Sequence, residues 1–143
     1  MSEPSCEDLS FPEPPEGLLK APVDRVIAHL DTPDAVVAAI DDLAEAGFDR
    51  DEIYVLCGQQ GAERLDVSGR HHGLGGRIYR FLEWLGDEHE VLLKSEQHLA
   101  AGGLVMGVPA DEDVKEAASR ILRERGGHEI YHFGKTDWQR LGA

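Results

Sequence analysis

The sequence predicts an α+β domain with a ferredoxin-like, split-βαβ sheet. The main observation is an internal repeat, because residues 26–56 and residues 104–133 each give a strand, a capped helix, a glycine and a second strand. Two such units predict a four-stranded antiparallel sheet of order 4-1-3-2, with both main helices on one face. An offset of 79 residues aligns the caps and terminal glycines of the two helices, pairing Thr32 with Asp111 and Gly47 with Gly126.

The first unit begins with a predicted strand over residues 23–30. A helix follows it, with Thr32 as the N-cap and Pro33 at the first helical position. Gly47 ends this helix, because glycine adopts the left-handed C-cap conformation without steric cost. A polar turn then leads to the second strand over residues 53–57.

Residues 58–102 are predicted as an insertion between the second and third strands. A loop rich in glycine, glutamine and histidine covers residues 58–73, and a helix follows over residues 74–85. The run DEHE resembles a capping box and opens a further helix over residues 87–101. These two inserted helices have three alternative uses: to cover the open sheet face, to cover a sheet edge, or to form a dimer surface.

The second unit repeats the first. It has a strand over residues 104–108, a helix that begins at the cap Asp111 and ends at Gly126, and a strand over residues 129–133. The remaining residues, GKTDWQRLGA, are predicted as a tail. The sequence therefore predicts four strands in one sheet.

Composition limits the function classes. The 143 residues carry 28 acidic and 14 basic side chains, a formal net charge of −14. Such a surface repels phosphate backbones and anionic lipids, so we expect no nucleic-acid or membrane partner. Residues 1–20 are acidic and proline-rich, which predicts a disordered tail before a single domain over residues 21–143.

Two features indicate a cytoplasmic protein. The first residues lack the basic and apolar regions of a secretory signal. The cysteines, Cys6 and Cys57, form no CxxC pair and no disulfide framework, so we expect two free thiols in a reducing compartment.

The order of these patterns resembles a known family. An aliphatic strand precedes DTPDAVVAAIDDLAEAGFDRDEIYVL, a loop with glycine and histidine follows, and a helix runs into HLAAGGLVMGV and then ILRERGGHEIYHFG. Over residues of about 23–134 this is similar to the heat-induced or general stress protein family of small ferredoxin-like domains. The resemblance implies a bacterial or archaeal, stress-associated cytoplasmic protein. It implies no established activity and no catalytic residues.

Histidine is the one unusual residue type, with seven in the chain. His128 and His132 share the alternation of Ile130 on the fourth strand, and His29 ends the neighbouring first strand. We expect His29, His128 and His132 on the open sheet face, as ligands of a metal ion or haem beneath the insertion. Neutral imidazole suits zinc, copper, iron and nickel. The alternative is that they are surface histidines or hydrogen-bonded core histidines.

The segment RHHGLGGR is a second candidate site. Two glycines before a helix expose backbone N–H groups to an anion, with an arginine on either side. It is neither a Walker A loop nor a dinucleotide fingerprint, and the alternative is a mobile loop without a ligand. The residues of this predicted anion or cofactor site are Arg70, Gly75, Gly76 and Arg77.

The sequence contains no strong catalytic motif. We therefore expect a non-enzymatic, stress-associated domain that acts by self-association, as a homo-oligomer such as a dimer, or by binding a partner or small ligand. One alternative is a histidine-based metal or haem protein, with or without enzymatic activity. Another is a regulatory domain that senses an anion or nucleotide. The sequence leaves the cofactor unknown.

Overall fold

The computed structural model of the chain describes residues 24–58, 87–135 and 138–142. These residues form an α+β structure with one open, antiparallel, five-stranded sheet of order β2-β3-β1-β4-β5 and three helices. The strands are β1 (Arg25–Leu30), β2 (Tyr54–Cys57), β3 (Leu104–Pro109), β4 (His128–Phe133) and β5 (Trp138–Gly142). The helices are α1 (Pro33–Glu45), α2 (Asp87–Ala100) and α3 (Lys115–Glu124).

The prediction of a C-terminal tail is wrong, because part of that segment forms β5. This strand pairs with β4 and lies at the sheet edge. Cross-strand side chains stabilise it: the rings of Trp138 and Tyr131 lie 5.8 Å apart, and Arg140 lies over the Tyr131 ring. The sequence WQRLG gave no clear alternation of apolar and polar residues, so its pattern did not predict a strand.

The predicted ends of α1 are confirmed. The Thr32 side chain accepts a hydrogen bond from the Ala35 backbone N–H at 3.2 Å, and Pro33 opens the helix. Gly47, with φ of 102°, follows the C-terminus, and the Phe48 N–H reaches back to the Leu43 carbonyl. This is the left-handed ending that the glycine predicts.

The start of α3 differs from the prediction, while its end matches. The Asp111 side chain accepts the Asp113 N–H at 3.0 Å and so caps a turn that precedes the helix, which begins at Lys115. Gly126, with φ of 88°, follows its C-terminus, and the Gly127 N–H bonds to the Leu122 carbonyl at 2.8 Å. The two repeats therefore share their endings more closely than their beginnings.

The sheet buries a core on each face. Helices α1 and α3 pack on the first face, against alternate β1 residues that include Val26, Ala28 and Leu30. Helix α2 packs on the second face, where Val91 and Leu99 join Ile27 and apolar residues of the other strands. The described part of the predicted insertion thus covers the otherwise open face. The predicted tail over residues 1–20 and the predicted helix over residues 74–85 lie outside the described residues.

A β-bulge interrupts the pairing of β1 with β4. Ala28 lies opposite two residues, Glu129 and Ile130, where regular pairing would place one. Glu129 has φ of 48°, a left-handed conformation that is uncommon for a residue other than glycine. The register on either side pairs Ile27 with Tyr131 and His29 with His128.

The bulge reverses the alternation of side chains along β4. His128 joins His29 on the second sheet face, while Ile130 and His132 remain on the first. The sequence-based prediction that His128 and His132 share a face is therefore wrong. It assumed regular alternation, and the extra residue in the bulge breaks that assumption.

The prediction of free thiols is also wrong, because Cys57 is disulfide-bonded. The only other cysteine of the chain is Cys6, which lies outside the described residues. Across residues 24–58, 87–135 and 138–142, no helix has the length and apolar character needed to cross a membrane.

Candidate metal centre

Three imidazole rings meet where β1 ends, β4 begins and α2 ends. The His29 and His98 rings are stacked, with centroids 4.5 Å apart and planes inclined by 10°. The His128 ring stands edge-on to both, at 5.8 Å from His29 and 5.5 Å from His98. We call these three residues, together with Asp31, the histidine cluster.

Asp31 follows β1 directly and completes the cluster with a carboxylate. His128 Nε2 donates a hydrogen bond to Asp31 Oδ1 at 3.0 Å. This hydrogen bond holds the pKa of Asp31 below its usual value, so the group is anionic at neutral pH. The Asp31 side chain is 71% exposed and that of His128 is 37% exposed, so the cluster opens to solvent on this side.

His98 is held in one orientation by the backbone. Its Nε2 lies 2.8 Å from the Leu30 carbonyl oxygen. Because a carbonyl oxygen only accepts hydrogen bonds, Nε2 carries the proton and a neutral ring keeps its lone pair on Nδ1. Gly103 makes room for the ring, since a Cβ atom at this position would overlap it.

His29 is the most buried member of the cluster, at 5% exposure. Its Nε2 lies 2.9 Å from the hydroxyl oxygen of Ser95, which is also buried. Burial, followed by the proximity of His98 and His128, lowers the pKa of His29 to about 4. His29 is therefore a neutral ring at physiological pH, and it supports the other two rings from the interior.

Three of these residues have the geometry to hold a metal ion. Asp31, His98 and His128 each offer one ligand atom, and the three atoms lie within 4.8 Å of one another. Ligand atoms around tetrahedral zinc are about 3.3 Å apart, as follows from bonds of roughly 2.0–2.2 Å. The 3.0 Å between His128 Nε2 and Asp31 Oδ1 is already close to that separation, and an ion bound there would displace the proton that His128 Nε2 donates. Two imidazoles with one carboxylate suit zinc, copper, nickel or iron.

The contact between His98 and Leu30 also fits a metal ligand. Histidines that bind a metal commonly donate their second ring N–H to a carbonyl or carboxylate, which fixes the tautomer and the ring orientation. His98 already makes this contact, so the lone pair on Nδ1 is ready for an ion. The His98 ring therefore has its orientation before an ion binds.

The structure brings together two of the three predicted metal ligands. His29 and His128 lie in the cluster, whereas His132 lies on the opposite face. Its ring is 1% exposed, and its Nε2 donates to the Ala110 carbonyl at 2.8 Å. His132 is a hydrogen-bonded core residue, separate from the cluster.

Two members of the cluster were not among the predicted ligands. Asp31 had a usable signal, because it lies two residues after His29 near a strand end, and such residues share a side. His98 lies in the predicted insertion, and sequence alone did not show which part of the sheet the insertion would cover. The other predicted site, with Arg70, Gly75, Gly76 and Arg77, lies outside the described residues and stays a prediction.

Comparison with known proteins gives no match. Neither a protein-family model, nor a curated protein, nor a solved structure matches this chain. The resemblance to the stress protein family stays a prediction.

Proposed function

We propose that this chain is a metal-binding domain in which Asp31, His98 and His128 hold one divalent transition-metal ion at the rim of the sheet. The observation that carries this proposal is the convergence of three imidazoles and a carboxylate from three separate elements. Apolar residues bury both faces of the sheet, so the fold itself does not require this group of polar side chains.

The charge of the protein favours a cation at this position. Its formal net charge of −14 raises the local concentration of cations at the surface. Imidazole binds a metal in its neutral form, and burial keeps His29 neutral beside the ligands. The left-handed conformation of Glu129, a local cost of order 1–3 kcal/mol, accompanies the bulge that turns His128 toward the cluster.

The geometry favours a bare ion over a haem held between His29 and His98. His29 and His98 lie face to face, with centroids 4.5 Å apart. Two axial imidazoles of a haem instead direct one nitrogen each at the iron from opposite sides of the porphyrin plane. The stacked rings of His29 and His98 would have to separate to bind a haem iron in this way. A single ion bound at Nδ1 of His98 would leave the two rings stacked.

Zinc titration of the metal-free protein, made without a histidine tag, tests the proposal. We expect one site per chain by calorimetry, in competition with a chelator of known affinity. Each of His98→Gln, His128→Gln and Asp31→Asn is expected to weaken binding by more than the roughly 10- to 100-fold that loss of an outer-shell partner costs. Asp34→Asn is the matched control, because Asp34 is an exposed carboxylate close by in the chain. Equal affinity in all variants would contradict the proposal.

Self-association of a stress-associated domain is a second candidate, supported by the two end strands of the described sheet. Helices cover both faces, so a second copy would dock at β2 or β5, which end the sheet among the described residues. Pairing at a sheet edge supplies main-chain hydrogen bonds. Sedimentation at several protein concentrations tests it, and a monomer at all of them would contradict it.

The topology of the sheet resembles a known arrangement. We propose a ferredoxin-like split-βαβ topology to which β5 is added at one edge. Its support is the neighbour relation of β4, β1, β3 and β2, together with the packing of α1 and α3 on the same face. In this arrangement α2, from the insertion, supplies one ligand, β4 supplies the second, and the residue after β1 supplies the third.

A further inference from the structure

We infer that the ion at the histidine cluster keeps at least one coordination position for an exchangeable water, which a small oxyanion such as inorganic phosphate replaces. This inference rests on the proposed metal site. It goes further by assigning a class of ligand to that site.

The count of protein donors leaves room for such a ligand. Within the described part of the chain, Asp31, His98 and His128 are the residues whose ligand atoms converge. Zinc and the ions that replace it take four or more ligands, and sites with three protein ligands hold water in the open position. His29 does not fill it, because it is not among the residues whose ligand atoms converge and its ring is stacked on that of His98.

The two sides of the cluster differ in their access to solvent. On the interior side, His98 is anchored to the Leu30 carbonyl, and His29 and Ser95 are buried. On the outer side, Asp31 is 71% exposed. An ion between these sides meets protein on one side and water on the other, so the open position faces solvent.

The local charge makes an anion the favoured replacement for that water. A divalent ion with one carboxylate and two neutral imidazoles retains one net positive charge, which lowers the pKa of bound water and attracts anions. The nearby carboxylate of Glu129 is engaged elsewhere. It accepts hydrogen bonds from the Tyr131 hydroxyl at 2.9 Å and from Arg140 at 3.3 Å.

Cobalt spectroscopy of the full chain tests this inference. The visible spectrum of the Co²⁺-loaded protein reports the ligands of the ion, and inorganic phosphate is the probe. We expect a saturable spectral change with one phosphate per cobalt. In Asp31→Asn we expect weaker cobalt binding but several-fold tighter phosphate binding per bound cobalt, because one negative charge is lost. The control Asp34→Asn is expected to behave as the unmodified chain.

Three other outcomes would overturn the inference, and one of them would also overturn the proposed function. Cobalt bound with a spectrum that does not respond to phosphate would overturn this inference and leave the metal site standing, since a fourth protein donor then fills the position. A phosphate response that is identical in Asp31→Asn and Asp34→Asn would also overturn it, because the anion would then bind away from the ion. Absence of cobalt binding would overturn both the inference and the proposed function.

Discussion

Gly103 controls the position of the His98 ring without being a ligand. A Cβ atom at this position would overlap the imidazole, so Gly103→Ala is expected to displace the ring from the Leu30 carbonyl. Loss of such an outer-shell contact costs roughly 10- to 100-fold in metal affinity. Zinc titration by calorimetry measures this loss. The control is Ala101→Ser, an equally small change at an exposed neighbour. Unchanged zinc affinity in Gly103→Ala would show that zinc binding does not depend on the position of the His98 ring.

The low pKa of His29 predicts that the free energy of unfolding of the metal-free protein depends on pH. Its pKa is about 4 in the folded protein and 6.5 in a model peptide. Between these values the unfolded chain binds a proton that the folded protein excludes, so the free energy of unfolding falls as the pH falls. The loss attributable to this residue is at most about 3 kcal/mol. Above pH 6.5 this contribution is fully present.

Urea unfolding at pH 7, 5.5 and 4.5, in the presence of a chelator, measures that dependence. His29→Gln keeps a hydrogen-bonding group for Ser95 but does not titrate in this range. We expect the pH profile of the variant to be flatter than that of the unmodified protein over this interval. Parallel profiles would contradict the assignment of the low pKa to His29.

Single residues were the most predictable part of the molecule where a local rule applies. Thr32 and Gly47 acted as predicted because capping depends on short-range hydrogen bonds and on glycine's freedom at positive φ. Asp31 could have been found, since it lies two residues after His29 near a strand end. His98 could not, because its place in the cluster depends on how α2 packs on the sheet.

At the scale of elements, the bulge in β4 decides which histidines meet. Glu129→Val is expected to disfavour the left-handed conformation, so that the strand pairs regularly and His128 turns toward the first face, with loss of zinc binding. Glu129→Gly is the matched control. It keeps the bulge, because glycine adopts a positive φ readily, and should keep zinc binding. Zinc titration and circular dichroism measure both variants, and retained zinc binding in a folded Glu129→Val variant would exclude this role of the bulge.

The sequence predicted elements with strong patterns and missed those with weak ones. Helix α1 and the strands of the two repeats carry clear periodicity and glycine endings. Strand β5 was missed because its sequence lacks a clear alternation of apolar and polar residues, and cross-strand contacts of Trp138 and Arg140 stabilise it instead. The bulge was missed because its left-handed residue is a glutamate, and glycine is the residue that normally indicates such a position.

At the scale of the whole molecule, the proposed ion joins the insertion to the sheet. His98 comes from α2, and Asp31 and His128 come from the sheet and its rim. Helix α2 also contacts that face through Val91 and Leu99, with Ser95 bonded to His29. A bound ion would add a cross-link to these contacts and stabilise the folded protein in proportion to its occupancy.

The position of the bound ion distinguishes this metal site from any other on the protein. Crystals of the zinc-loaded chain, measured at the zinc absorption edge, would show the ion as an anomalous difference peak. We predict one peak per chain within bonding distance of His98 Nδ1, His128 and Asp31, with the Leu30 carbonyl still accepting the His98 Nε2 proton. Zinc bound with its peak away from these residues, or a chain that binds no zinc, would contradict the account.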